Sequence, residues 1–233
     1  MDYPLRFRAT GAVEEMDRAN ADPTMLTRTY DQFPLINSVV SGWRSVYRER
    51  IRPHLSPTSA STLLDVGCGG GDLARALAHW AQRDGLSLAI TGIDPDSRAY
   101  DYAVSRPAPP GVTFRAAFSS ELVSEGQQYD FVISNHILHH LSAAELQGLL
   151  SDSEALTTKT AIHSDIVRSP IAYALFSVGT LPFFPGSFIR RDGLTSIRRS
   201  YKPAELAAVV PTPWTVEPRA PWVNLLCLDR HEP

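Results

Sequence analysis

The sequence predicts an α/β domain, a doubly wound and mostly parallel sheet of seven strands that ends in an antiparallel C-terminal hairpin. Three observations lead there. Short apolar runs alternate with helix-period segments between residues 63 and 167, the rhythm of strand–helix–strand units with parallel pairing. The first of these runs opens directly into a glycine-rich turn, the usual ligand edge of an open sheet. The last two apolar runs lie too close together for a crossover and therefore pair antiparallel.

The elements follow in order. Leu35 to Ile51 shows helical spacing, with Ile36, Val39, Val40, Trp43, Val46 and Tyr47 on one side, before Pro53 and the Ser56–Ser59 connector. Leu63–Val66 is a short strand. Asp72 is placed to cap the next helix, whose Leu73, Leu77, Trp80 and Ala81 form one face and which Gly85 ends. Strands follow at Ser87–Ile93, Val112–Ala116, Tyr129–Ser134 and Thr160–Val167, with helices at Ser97–Val104 and Ser142–Leu156. Beyond them lie an apolar segment, 171–189, an arginine-bearing stretch, a helix starting near Pro203, and strands around Trp214–Glu217 and Trp222–Asp229.

Composition narrows the function. With 43% hydrophobic and 20% charged residues the chain has the makeup of a globular protein with a core. A net charge of −3 offers no basic footprint for a nucleic-acid partner. Cys68 and Cys227 read as two reduced thiols, and the charged N-terminus lacks a secretory apolar run, so a cytoplasmic protein is expected. The uncharged segment from Ile171 to Ile189 approaches the length of a membrane span, but Gly179, Pro182, Pro185 and Gly186 interrupt it; a short buried helix followed by a proline-rich loop is expected instead, with no transmembrane span.

The chemistry concentrates where strands end. The first strand runs into Asp65-Val66-Gly67-Cys68-Gly69-Gly70-Gly71. Alternating glycines let the backbone turn tightly and approach a ligand. A dinucleotide fingerprint would place its third glycine where Asp72 stands, and a carboxylate there would repel a pyrophosphate. The spacing of Gly67, Gly69 and Gly71 after Asp65 instead resembles motif I of the class I S-adenosylmethionine (SAM) dependent methyltransferases, whose cofactor carries a sulfonium and an ammonium group. Asp94, before Pro95, resembles that family's acidic residue that holds both ribose hydroxyls; read alone, it is equally a helix cap. Asn135 and His136, in Tyr129–Leu141, resemble the fourth-strand loop that passes the methionine end of the cofactor. The family's acidic residue near adenine is missing, which leaves Ala117 and Phe118 for that contact.

The resemblance implies the class I methyltransferase fold with SAM as cofactor. It divides the chain into an N-terminal helical cap, residues 1–55, and a SAM-binding domain, 56–233, with an acceptor-pocket insertion at about 170–202. His139, His140 and His163 are the candidate catalytic residues: His139 or His140 as a base that takes a proton from an acceptor hydroxyl near neutral pH, with packing or capping of the next helix as the alternative, and His163 from its place at the ligand edge of the fifth strand. No glutamate or cysteine stands near the His136-x-x-His139-His140 run to complete a ligand set, so no metal is expected. Asp165 is expected to form an ion pair with Arg168 or with one of the arginines among Arg190, Arg191, Arg198 and Arg199. Tyr173, Phe176, Phe183, Phe184 and Phe188 read equally as core or as the wall of an apolar acceptor pocket, and as a wall they would form a lid with Tyr30, Phe33 and Trp43. The expected reaction is O-methylation of an apolar phenolic or polyketide-like small molecule by a monomer or homodimer. C-methylation of an aromatic or quinone precursor is the alternative within the class; a nucleotide-dependent oxidoreductase and a non-catalytic SAM-binding protein are the alternatives outside it.

Overall fold

The computed structural model describes residues 5–181 and 186–230, so Pro182, Phe183, Phe184 and Pro185 of the expected acceptor segment lie outside the described residues. Seven strands form one sheet in the order β3-β2-β1-β4-β5-β7-β6. They are β1 Ser61–Val66, β2 Leu88–Ile93, β3 Val112–Arg115, β4 Tyr129–Asn135, β5 Thr157–Ile166, β6 Thr215–Arg219 and β7 Val223–Asp229. The first five pair in parallel, while β7 is antiparallel to both β5 and β6. The expected sheet, hairpin included, is the observed one.

The central strands read as continuous apolar runs because both of their faces are covered. Side chains alternate between two layers. Leu63, Phe131, Ile133 and Ile162 enter one layer beneath α2 (Trp43–Val46) and α3 (Asp72–Arg83). Leu64, Val132 and Ala161 enter the other, beneath α5 (Ser119–Ser124), α6 (Ala143–Leu156) and α9 (Pro203–Ala207). Leu63, Leu64, Phe131 and Ile133 are fully buried, and each such side chain contributes about 1.5–3 kcal/mol through burial. The helix α6 starts with a capping box: Ser142 Oγ accepts from the Glu145 N–H, and Glu145 Oε2 accepts from the Ser142 N–H.

The N-terminal helices differ from the expected single helix over Leu35–Ile51. The helix α1 starts earlier, spans Pro23–Val40 and is capped by Asp22, which accepts from the Thr24 and Met25 N–H groups at 2.8 and 2.9 Å. It stops before Gly42, whose φ of +66° ends helical continuation. A second helical stretch, α2 followed by turns through His54, starts at Trp43. The two halves bury different faces. Trp43, Val46, Tyr47 and Ile51 pack under the sheet, whereas Leu35 and Val39 are exposed.

Two other expectations change. Gly71, in the left-handed region, occupies the cap position of α3, and the Asp72 carboxylate instead accepts from Asn37 Nδ2 at 2.8 Å. The apolar segment after β5 does form a helix, α7 (Pro170–Gly179), but Ile171, Leu175 and Val178 are exposed rather than buried. The remaining helices are α4 (Ser97–Ser105) and α8 (Ile189–Arg199). No helix among the described residues is long and apolar enough to cross a membrane.

Candidate active site

Strand order reverses around β1, with β2 on one side and β4 on the other, and the carboxyl ends of these three strands open into a cavity of about 1350 Å³. Asp65, Gly67, Cys68 and Gly69 line it from β1, Asp94 and Pro95 from β2, and Asn135 and His136 from β4. Ala117 and Phe118 complete that wall. Gly71, alone of the expected cofactor residues, falls outside the described lining.

The glycines have separate jobs. At Gly69, with φ +52°, an added Cβ would meet nothing nearer than Tyr30 Cε1 at 4.0 Å, so the space beside the backbone stays open for a ligand. At Gly71, with φ +75°, the same carbon would lie 2.5 Å from the Phe114 ring and 2.6 Å from Arg75 Nη1. Gly71 therefore serves packing. Arg75 lies over the Phe114 ring and donates to the Gly70 carbonyl at 2.7 Å, bracing the turn from behind.

Asp94 holds this loop against β2. Its Oδ2 accepts from the Gly69 N–H and its Oδ1 from the Asp96 N–H, each at 2.9 Å. A carboxylate oxygen has a second acceptor site, so both oxygens retain capacity toward the cavity. The helix-capping alternative for Asp94 falls to Asp96, which accepts from the Arg98 N–H. Asp65 is buried beside them, and its Oδ2 has no hydrogen-bond partner. Burial, and then the Asp72 and Asp94 carboxylates, push its carboxyl well above the ordinary range. This end of the cavity is short of positive charge. A cationic ligand with a diol satisfies it where a pyrophosphate would not, and the residues present fit SAM.

Asn135 and His136 close the same edge. Asn135 Oδ1 accepts from Trp43 Nε1 at 2.9 Å, which places Trp43 in the core under the site rather than in a lid. His136 has a φ of +60°, a backbone conformation that non-glycine residues adopt at a cost of about 1–3 kcal/mol. Its N–H bonds to the Ser164 carbonyl at 2.8 Å and its side chain lines the cavity.

The far end of the cavity is assembled from distant segments. Tyr30 and Phe33 from α1, Leu175 and Phe176 from α7, and Ile189 and Ile197 from α8 form apolar walls. Tyr30, Leu26, Ala99 and Phe188 pack as a small core of their own, so Phe188 supports the wall from behind. Close contact between α7 and α8 depends on Gly193, where a Cβ would sit 2.4 Å from the Phe176 ring.

One polar cluster stands among these walls. His139 Nδ1 lies 2.7 Å from Asp165 Oδ1, and the His139 N–H donates to Asp165 Oδ2 at 2.8 Å. On its other side His139 Nε2 faces Glu14 Oε1 at 3.3 Å. His140 Nδ1 lies 3.1 Å from Asp17 Oδ2, and its Nε2 is 3.7 Å from Glu14 Oε1. Burial pulls the His139 pKa down, but Asp165 and Glu14 outweigh it and hold it at about 9. Burial acts to raise Asp165, and the His139 and His136 side chains override it, keeping the carboxyl well below the usual range.

The expected partner of Asp165 is therefore replaced. Arg168 instead bonds to the carbonyls of Leu5 and Ser200 and to Glu205. Arg199 bonds to the carbonyls of His139 and His140 and so braces the His-His turn. His163, the third candidate base, does not reach the cavity lining. It is fully buried, with Nδ1 2.8 Å from Ser134 Oγ and its ring stacked on Trp214, and burial lowers its pKa to about 3. Its side chain shares a face of β5 with Asp165 but sits two residues farther from the carboxyl end of the strand, where Trp214 covers it.

Sequence reasoning missed Glu14, Asp17 and Asp192. Glu14 is buried 125 positions from His139 and also accepts from Ser196 Oγ at 2.7 Å. Asp192 accepts from the Glu15 and Met16 N–H groups at 2.7 and 3.0 Å, fastening this segment to α8. The available signal was the acidic run Glu14, Glu15 and Asp17 ahead of α1, which by itself reads as a solvated surface.

Residues 63–159 match the family model described as a methyltransferase domain. The tRNA U34 carboxymethyltransferase of Alcanivorax borkumensis is 33% identical over 133 residues, covering 53% of this chain and 40% of that protein. The ubiquinone biosynthesis O-methyltransferase of Rhizobium etli is 28% identical over 92 residues, covering 39% of this chain and 35% of that protein. The chain thus spans well under half the length of these curated relatives. Among solved structures, the plantazolicin methyltransferase BpumL in complex with SAH superposes with a TM-score of 0.63 at 13% identity, covering 91% of this chain and 92% of that one. Human N-acetylserotonin methyltransferase in complex with SAM gives 0.62 at 13% identity, covering 91% of this chain and 57% of that one. At such identities the structures establish a shared fold. Residues 63–159 thus carry a methyltransferase domain, set in a sheet whose order and whose loop after β1 are those that the resemblance to class I SAM-dependent methyltransferases implies.

Proposed function

We propose that the chain transfers the methyl group of SAM to a hydroxyl of an apolar small molecule, phenolic or polyketide-like in character. The observation that carries this reading is the continuity of the cavity. One opening of about 1350 Å³ joins the acidic glycine edge to an apolar chamber that ends in the Glu14–His139–His140 cluster. Asp94 would hold the ribose, Ala117 and Phe118 would flank the adenine, and Asp65, Gly67, Cys68, Gly69, Asn135 and His136 would surround the methionine end. When bound, SAM supplies an electrophilic methyl group that needs no further activation.

The chain's own contribution is then placement. The walls from α1, α7 and α8 exclude water and orient the acceptor, which is where most of the rate enhancement of a preactivated donor arises. The polar cluster receives the one polar group such an acceptor carries. His139 is gripped by carboxylates on both ring nitrogens and so positions the acceptor rather than serving as a free base. The net charge of −3 and the apolar chamber favour a small molecule over tRNA as acceptor.

Two measurements test this. Calorimetric titration should show SAM and S-adenosylhomocysteine binding and no comparable binding of NADH; preference for NADH overturns the reading. Incubation with methyl-labelled SAM and a panel of hydroxylated aromatics should give an O-methyl ether. Label on ring carbon would replace O- by C-methylation. Tight SAM binding without transfer to any acceptor would make the chain a SAM-binding protein instead.

A further inference from the structure

We propose that Glu14, His139 and His140 form a binding site for one divalent transition-metal ion of the zinc class, with an open coordination position facing the acceptor chamber. One carboxylate oxygen and two imidazole nitrogens lie within 4.8 Å of one another, and among the described residues they are the one such group of His, Cys, Asp and Glu. Glu14 Oε1 stands 3.3 Å from His139 Nε2 and 3.7 Å from His140 Nε2. Tetrahedral zinc with bonds of about 2.0–2.1 Å sets its donors about 3.3 Å apart. The two edges measured from Glu14 approach that spacing with no ion present. His140, the most exposed of the three, has room to close the third edge.

The outer contacts are those that metal-bound histidines use. A ligating imidazole turns its other nitrogen to a carboxylate, which fixes the tautomer and aims the lone pair. Asp165 does this for His139 at 2.7 Å and Asp17 for His140 at 3.1 Å. Ser196 Oγ holds the ligating Glu14 oxygen at 2.7 Å. With Nδ1 turned to Asp165, His139 Nε2 is left buried, with no aligned hydrogen bond, and aimed at a carboxylate oxygen. A carboxylate oxygen facing a buried imidazole nitrogen needs a cation between them, and a metal ion can take the place of the proton that holds the pair together.

Charge supplies an independent argument. Glu14, Asp17, Asp165 and Asp192 gather here. The nearby Arg199 bonds to the carbonyls of His139 and His140 and approaches Asp17 only to 4.0 Å. A divalent ion offsets this surplus. Glu14, His139 and His140 all line the cavity, so the fourth position of the ion faces the chamber. An oxygen donor of the acceptor, a phenol or enol hydroxyl, would coordinate there and release its proton to solvent, as metal-bound water does near neutral pH. That last step rests on the methyl-transfer reading; the site itself does not.

The test uses tag-free full-length protein stripped with chelator and dialysed against zinc, with metal content measured by mass spectrometry. Wild type should retain about one equivalent per chain, and cobalt substitution should produce the visible absorption of a tetrahedral site. His140→Ala, at a partly exposed position, and Glu14→Gln should each weaken retention about tenfold or more and abolish the cobalt bands, while SAM affinity stays at the wild-type value. Wild-type protein that retains no zinc and gives no cobalt spectrum overturns the proposal, as does retention unchanged in both variants. Metal binding without SAM binding would sustain the site and remove the methyl-transfer reading, whereas SAM binding without metal would do the reverse.

Discussion

At one end of the cavity the facing groups come from residues that follow one another in sequence: Asp65 to Gly69, Asp94 with Pro95, and Asn135 with His136, each at the end of a parallel strand. At the other end Glu14 meets His139 and Ser196, while Asp192 grips the backbone of Glu15 and Met16 across 177 and 176 positions. The end proposed for the cofactor is therefore built by local backbone geometry. The end proposed for the acceptor is built by docking one chain segment onto another. Damage to the first should fall on stability and on cofactor affinity together, and damage to the second on the acceptor alone.

The sharpest way to break this distinction is through the glycines. Gly71→Ala forces a side chain into the left-handed region and into the Phe114 ring at 2.5 Å. Strain and overpacking together should cost about 3 kcal/mol, read as a lowered midpoint in urea unfolding. Gly69→Ala meets no atom closer than 4.0 Å and should lose only about 1–2 kcal/mol to backbone strain, while its methyl group enters the ligand space and weakens SAM. Equal destabilisation by the two substitutions would show that the loop does not divide into a packing glycine and a ligand glycine.

Asp94→Ala addresses the same end through hydrogen bonds. Removing two charge-assisted contacts to a ribose should weaken SAM binding about 100-fold, measured by calorimetry. Circular dichroism should show the fold retained, because the Gly69 and Asp96 N–H groups that Asp94 now satisfies lie beside a cavity open to water. Glu14→Gln, at the opposite end, should leave that affinity unchanged. Unaltered SAM binding in Asp94→Ala would mean that the ribose is held elsewhere.

The same division explains what was legible in the sequence. Strand ends and their glycines announce themselves because cause and effect lie within a few residues: Gly69 is glycine because its own neighbourhood must stay open. The parallel sheet was equally legible, since Leu63–Leu64 and Val132–Ile133 must be apolar on two faces at once. The acceptor end offered no such locality. Nothing adjacent to His139 tells that Glu14 will face it, and Asp165 has Arg168 three residues away yet pairs with His139. The merged helix over Leu35–Ile51 failed for a related reason: periodicity alone does not reveal that Trp43 packs under the sheet while Val39 faces solvent.

His163 marks the boundary between the histidines of the site and those of the fold. Its pKa is lowered from 6.5 to about 3, so the folded protein keeps it neutral where the unfolded chain protonates it. A depressed folded-state value means that stability is fully present above about pH 6.5 and is lost as pH falls from there toward 3. Between pH 7 and pH 5 this single group should remove about 2 kcal/mol. His163→Asn keeps a polar atom near Ser134 Oγ but does not titrate, so its unfolding free energy should lack that portion of the acid slope, and the difference between the two proteins cancels the other groups. Urea unfolding at pH 7, 6 and 5 measures it. Parallel slopes would show that His163 is protonated equally in both states, which its position between Ser134 and Trp214, with Nε2 buried and unpartnered, argues against.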